Sequence, residues 1–198
     1  MTEPDAVQSG PAPADPFALI RAWLPANDDT ARPEMTLATV GADGMPNARI
    51  VLLSAIEDDG FSLHTDAASR KVHELDANPV AALVFRLPAT HRQLVVQGVA
   101  GRASDASNAA AFARRSAYLQ ELSWLNTPAF AQLPEDERRE RWAAFREERD
   151  VAEQPAGWTG FVVRPTRLLF WAGAPDNAGR RLEYVREGDA WRSAYLPG

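Results

Sequence analysis

Apolar positions recur at helical spacing through "PFALIRAWL" (16–24), which predicts a first helix. Short β-type runs follow. "MTLATV" (35–40) leads into the turn "GADG" (41–44), "ARIVLL" (48–53) into "EDDG" (57–60), and that turn into "FSLHT" (61–65). Turn residues at such intervals predict an antiparallel meander. Ser69 then reads as the N-cap of a helix over "RKVHELDAN". "PVAALVFRL" (79–87) is an almost continuous apolar run, expected to be a strand buried on both faces. "RQLVVQGVAGRAS" (92–104) is a longer strand in which Gly98 and Gly101 permit a bulge or bend.

The period then changes. Ser104 is placed to cap a helix running to about Glu121, and "PEDERRERWAAFREER" (134–149) predicts another. Pro134 suits a first turn, acids at 135–137 suit the positive end of the macrodipole, and Glu135–Arg139 and Glu137–Arg141 are i,i+4 pairs. Strands return at 160–165, 167–173, 180–187 and 190–196, the last two joined by the turn "EGD". Six or more antiparallel strands with helices between them predict an α+β chain built on a small closed or partly closed barrel. Residues 1–15, polar and rich in Pro and Ala, are expected to form a disordered N-terminal tail, leaving 16–198 as one domain.

Composition narrows the function. A net charge of −6 argues against nucleic acid as a bulk electrostatic partner. With no Cys and three His, neither disulfides nor a structural metal site are expected. No apolar run approaches the roughly 18 residues of a membrane span, so a cytoplasmic enzyme or binding protein is the default.

Candidate chemistry is sparse, and each piece has a plain alternative. Ser69-Arg70-Lys71 at a helix start could hold a phosphate, or be a cap followed by two solvated cations. Arg49, among apolar strand neighbours, needs a partner if buried, or lies on an edge. Gln93 could hydrogen-bond a heteroaromatic ring or a loop, and Trp171 could stack on a flat cofactor or fill a core or interface. His64 and His73 lack metal-like spacing. No Gly-rich nucleotide loop or Ser/His/Asp set stands out.

Together, "ARIVLLS" (48–54), "HTDAASRK" (64–71), "NPVAALVF" (78–85), "RQLVVQG" (92–98), "GWTGFVVRPTRLLFW" (157–171) and "RRLEY" (180–184) resemble the pyridoxamine 5′-phosphate oxidase family. These are flavoenzymes on a six-stranded antiparallel split β-barrel with peripheral helices. The resemblance runs in order from about Asp15 to Leu196. It implies a homodimer with FMN at its interface, a dimerisation segment at about 155–198, and a hydride passed from a small substrate to flavin, with O₂ as the final acceptor. By position, Arg49, Ile50, Val51, Leu52, Leu53 and Ser54 would form the flavin strand. His64 and Thr65 would contact the cofactor, Ser69, Arg70 and Lys71 would take its phosphate, and Gln93, Trp171 and Arg181 would complete the pocket.

The departures fall on the substrate side. Ser54 stands where relatives carry Lys. The Tyr, Arg and Ser that grip the substrate phosphate read Ala111, Arg115 and Leu119, and Asn177 and Gly179 replace an Arg–His pair over the substrate ring. A Gln-Ser pair that touches FMN elsewhere reads Pro128-Ala129. At about 1.5–3 kcal/mol per lost charge-assisted bond, these changes would weaken a dianionic substrate on the order of 10⁴-fold or more. The expected substrate is less anionic and more apolar than the vitamin phosphate, a reduced aromatic acid being one precedent within the family. Two other readings remain open: a true pyridoxine/pyridoxamine 5′-phosphate oxidase with a rearranged site, and a split barrel that binds flavin or haem without catalysis or uses F420.

Overall fold

A computed structural model describes residues 6–29, 32–148 and 153–198. Its strands form one antiparallel sheet, curled into a half-barrel. The first half contributes β1 (Glu34–Val40), β2 (Pro46–Leu52), the short β3 (Ala55–Ile56), β4 (Phe61–Asp66), β5 (Val80–Leu87) and β6 (Arg92–Arg102). The C-terminal part adds β7 (Trp158–Ala172), β8 (Arg180–Glu187) and β9 (Ala190–Pro197). The order across the sheet is β2-β1-β5-β6-β7-β4-β3, with β8 also on β7 and β9 on β8. The mainly-β class with peripheral helices is as the sequence predicts, but of the meander predicted over 35–65 only the β1–β2 hairpin forms: β4 pairs with β3 and β7, at the opposite end of the sheet from β2, because turn residues mark where strands end and not which strands pair.

Alternation builds the interior. Leu37, Leu83, Phe85, Leu94, Val96, Leu63 and Phe170 point inward and are fully buried. Each contributes about 1.5–3 kcal/mol relative to an exposed side chain. Helix α1 (Pro16–Trp23), capped by Asp15, covers this core. Its Phe17 ring lies 6.1 Å from Phe61, and its Trp23 meets Phe170 edge-on at 5.2 Å. The strand 80–87 is not buried on both faces as expected: Ala81, Leu83 and Phe85 are buried, whereas Val80 is 56% exposed. An unbroken apolar run conceals that alternation.

The two strands expected at 160–165 and 167–173 are one, β7, and it is shared. Its first half pairs with β4 and its second with β8, while β6 runs along both. The register of β6 slips at Gln97/Gly98, opposite Pro165. Pro165 has no N–H to give the ladder, and a Cβ at Gly98 would collide with the Arg164 carbonyl. Across that bulge β7 passes from its pairing with β4 to its pairing with β8.

Helix α2 (Arg70–Ala77) follows β4. The helix expected from Ser104 to Glu121 is two, α3 (Asp105–Ala113) and α4 (Ala117–Leu125), because Ser116 is a second N-cap. The short α5 (Pro128–Ala131) and the longer α6 (Glu135–Glu148) complete the α-helices among the described residues; residue 149 of the expected helix lies outside the described residues.

The expected N-terminal tail needs correcting. Residues 1–5 are outside the description, but 6–15 form an arm packed on β8 and β9. Val7 is fully buried in the core. Tyr184 donates to the Pro13 carbonyl at 2.9 Å, and Tyr195 to Ala6 at 3.1 Å and Gly10 at 2.8 Å. The arm's backbone carbonyls serve as the partners that polar side chains of a distant hairpin require.

Candidate functional site

Two adjoining cavities lie beside β2. The larger, about 470 Å³, is lined by Ile50, Val51 and Leu52 of β2, His64 and Thr65 of β4, Ser69 and Lys71 at the start of α2, and Trp158 of β7. Helices α4 and α5 close it with Leu122, Ser123 and Pro128 among others. The smaller, about 350 Å³, runs past Leu52, Leu53 and Ser54 to Ala111, Arg114, Arg115, Ser116 and Leu119, with Asn27, Asp28, Asp29 and Arg32 on its far rim. Leu52, Arg115 and Leu119 line both.

The α2 start combines chain geometry and charge. Ser69 holds the N-cap position, but its side chain does not cap the helix. Instead Lys71 Nζ donates to Ser69 Oγ at 3.2 Å and to Thr65 Oγ1 at 3.0 Å. Burial, then the neighbouring Arg49 charge, pull the Lys71 pKa down. An ammonium in that setting gains from an incoming anion, and free helix N–H groups add to the attraction.

Arg49 and Arg70 do not line this cavity; both turn to Glu74. Arg49 Nη2 meets Glu74 Oε2 at 2.7 Å and Arg70 Nε meets Oε1 at 2.7 Å. Thr39 Oγ1 donates to Oε2 at 2.5 Å and Asn47 Nδ2 to Oε1 at 2.8 Å. Burial pushes this carboxyl up, but the bonds from Thr39, Arg49 and Arg70 and the Arg49 charge outweigh it and hold the pKa at about 2. Glu74 is a site residue that sequence reasoning missed. Its spacing of four from Arg70 was the available local signal; the partners on β1 and β2 were not.

His64 sits between the cavities. Its Nδ1 is 2.8 Å from Ser54 Oγ, and its ring stacks on Trp158 at 5.4 Å, against Gly160 where a Cβ would meet the ring at 2.5 Å. Burial, then Arg115 and Arg114, lower its pKa to about 4, so the imidazole is neutral at ordinary pH. Arg115 lies over the Trp158 ring, 4.4 Å from its centroid, and donates to Leu119 O at 3.1 Å and Ser123 Oγ at 3.0 Å. Burial lowers its pKa to about 10.

Ser54, Ala111, Arg115 and Leu119 thus share the smaller cavity, as a common role requires. The expectation that Arg115 is its surviving cation is revised by the presence of Arg32 and Arg114. Asn177 and Gly179 lie apart, in the segment before β8, where Gly179 abuts the Trp171 ring. Gln93, Trp171 and Arg181 also lie apart from both cavities. They are direct cross-strand partners on β6, β7 and β8, and so form one row on the sheet's outer face.

The architecture is that of the split-barrel oxidoreductases. Residues 27–146 match the family model described as pyridoxamine 5′-phosphate oxidase, and residues 158–197 match its C-terminal dimerisation region. The pyridoxine/pyridoxamine 5′-phosphate oxidase of Thermosynechococcus vestitus is 38% identical over 189 residues, covering 93% of this chain and 90% of that protein. Its counterpart from Salinibacter ruber is 36% identical over 182 residues, covering 89% and 85%. The fold matches PhzG from Burkholderia lata, solved with tetrahydrophenazine-1-carboxylic acid, at a TM-score of 0.83 and 23% identity over 95% of each chain. It also matches a pyridoxamine 5′-phosphate oxidase-related, FMN-binding protein from Nostoc punctiforme at 0.68 and 19%, covering 83% and 88%. The chain belongs to the pyridoxamine 5′-phosphate oxidase family.

Proposed function

We propose that the chain is an FMN-dependent oxidase, acting as a homodimer on a small substrate other than the vitamin phosphate. The observation that carries the cofactor reading is the α2 start, where Lys71, Ser69 and Thr65 converge at a helix N-terminus inside a cavity floored by β2. That donor set fits a phosphate monoester, and the β2 edge with the flat His64–Trp158 pair fits the ring system beside it.

FMN supplies the hydride-accepting chemistry when bound, and O₂ is the acceptor we assign for its reoxidation. The chain's residues position. Lys71 and the two hydroxyls hold the phosphate. Glu74 fixes Arg49 and Arg70 beside it. Arg115 and Leu119, at the junction of the cavities, orient the substrate, and Ser54 with neutral His64 offers it a hydrogen-bonding edge. His64 at a pKa of about 4 is no proton donor at neutral pH. We assign no catalytic acid or base.

The dimer reading rests on position. Trp158 lines the larger cavity, whereas Trp171 lies 13 residues further along the same strand, a path of roughly 40 Å. A second copy is the economical recipient of the Gln93–Trp171–Arg181 row. Ile50, at 61% exposure, shares the same outer face.

Absorbance of the purified protein tests the cofactor: a flavin spectrum with FMN released on denaturation is expected. Colourless protein that cannot be reconstituted with FMN sinks the assignment. The second reading, oxidation of pyridoxine or pyridoxamine 5′-phosphate, is favoured by the 38%-identical relative that bears that name. Peroxide release from pyridoxamine 5′-phosphate at ordinary rates would establish it and remove the altered-substrate reading.

A further inference from the structure

Three arginines surround the smaller cavity, and two of them belong to no motif. Arg32 sits on the segment before β1 and is held by backbone carbonyls. Its Nε donates to Leu53 at 3.2 Å, and its Nη1 donates to Ala26 at 3.0 Å, Asn27 at 3.3 Å and Asp29 at 3.4 Å. Its Nη2 is buried with no partner among the described residues. The backbone N–H of Arg114, at the C-cap of α3, donates to Ala110, but its side chain makes no hydrogen bond or ion pair among the described residues. Burial, then the Arg114 charge, lower the Arg32 pKa, with Asp29 opposing. Two guanidinium groups close enough to repel, one with a buried unpaired donor, are stabilised by an anion between them.

The same cavity defines that anion's class. Asp28 and Asp29 lie on its rim, so three guanidiniums face two carboxylates and leave about one positive charge. That balance suits a monoanion better than a phosphate dianion. A guanidinium fork matches a carboxylate in geometry. Leu52, Leu119 and Ala111 supply an apolar wall beside the cations.

We propose that Arg32, Arg114 and Arg115 form a carboxylate-binding subsite, and that the substrate is a monocarboxylic acid whose apolar body lies on Leu52, Leu119 and Ala111. This rests on the reading of the smaller cavity as the substrate site. It moves the specificity of the site from the family's phosphate grip to Arg114, beside Arg115 in the α3–α4 turn, and Arg32 on the segment before β1.

The test titrates benzoate, its neutral isostere benzamide and phenyl phosphate into the full chain, followed by calorimetry and tryptophan fluorescence. Benzoate is expected to bind at least about tenfold more tightly than benzamide, and phenyl phosphate no more tightly than benzoate. R114Q should cost benzoate about fivefold to tenfold and leave benzamide unchanged, and R114E should reverse the preference. R32Q should act like R114Q; because Arg32 also ties down four carbonyls, the Arg114 variants decide the matter if R32Q fails to fold. Equal binding of benzoate and benzamide, or a preference that survives R114E, overturns the proposal. Phenyl phosphate binding tenfold better than benzoate overturns the monoanion class in favour of a phosphate ester. Bound flavin is measured on the same samples. Loss of FMN binding with the benzoate preference intact would count against the cofactor assignment and not against the subsite.

Discussion

Around Glu74, side chains from β1, β2 and α2 converge on one buried carboxylate; across the paired cavities, Arg32, Arg114 and Arg115 share no such anchor. Both regions are rich in arginine, yet they solve opposite problems. In the first, one buried carboxylate holds both arginines within the chain, so Arg49 and Arg70 are fixed before any ligand arrives. In the second, cations are held near one another at the expense of stability. Balanced charge gives a rigid frame, whereas unbalanced charge gives a place for something to bind.

Breaking the balanced side should have the largest effect. E74L leaves Arg49, Thr39 and Asn47 without their acceptor, and a loss of about 3–5 kcal/mol in urea unfolding is expected. E74Q, which keeps an acceptor oxygen, should cost less. A loss under about 1 kcal/mol for E74L would mean that the cluster is solvated and frames nothing.

His64 probes the boundary between the regions. Its folded pKa of about 4 lies below the ordinary value of 6.5. Its contribution is therefore fully present above pH 6.5 and is lost as pH falls toward 4, because the unfolded chain binds the proton first. The shift corresponds to about 3 kcal/mol at most. H64Q should flatten the unfolding free energy across that window; an unchanged slope would place the imidazole in water. The further decline between about pH 4.5 and 2, where the unfolded chain protonates Glu74 and the folded chain does not, should persist in that variant.

A smaller effect is expected at the cofactor. K71M removes the ammonium from the α2 start and should weaken FMN by about 1.5–3 kcal/mol, read as the Kd from flavin fluorescence. Unchanged affinity would shift the phosphate to the Glu74-bound arginines. Smallest of all, R114Q should leave stability within about 0.5 kcal/mol or raise it slightly, since it relieves repulsion and breaks no bond. A clear destabilisation would show that Arg114 has a structural partner and would erase the contrast between the two regions.

Much of this frame is legible in the chain. The strand–turn–strand–helix unit at 48–77, the cap at Ser104 and the bulge near Gly98 rest on local signals, such as turn residues, a hydroxyl before a helix, and a glycine within a strand. The Glu74 cluster was not legible, because its partners Thr39, Asn47 and Arg49 come from earlier strands that reach it only once the sheet is assembled. Nor was the arginine cavity. Arg32 precedes a proline in a polar loop and Arg114 ends a helix, positions where charge is ordinarily solvated. The break in the long predicted helix did carry a signal, since Ser116 accepts from Leu119 N as Ser104 does from Ser107 N. The unity of β7 did not, because Pro165 reads locally as a stop.

The arm at 6–15 also has a place in time. It leaves the ribosome 171–189 residues ahead of its seat on Tyr184 and Tyr195. At about 5–20 residues per second, roughly 10–40 s separate the two. Through that interval Val7 waits without Leu182 and Tyr184, the β8 part of its core, so seating the arm must follow synthesis of that hairpin.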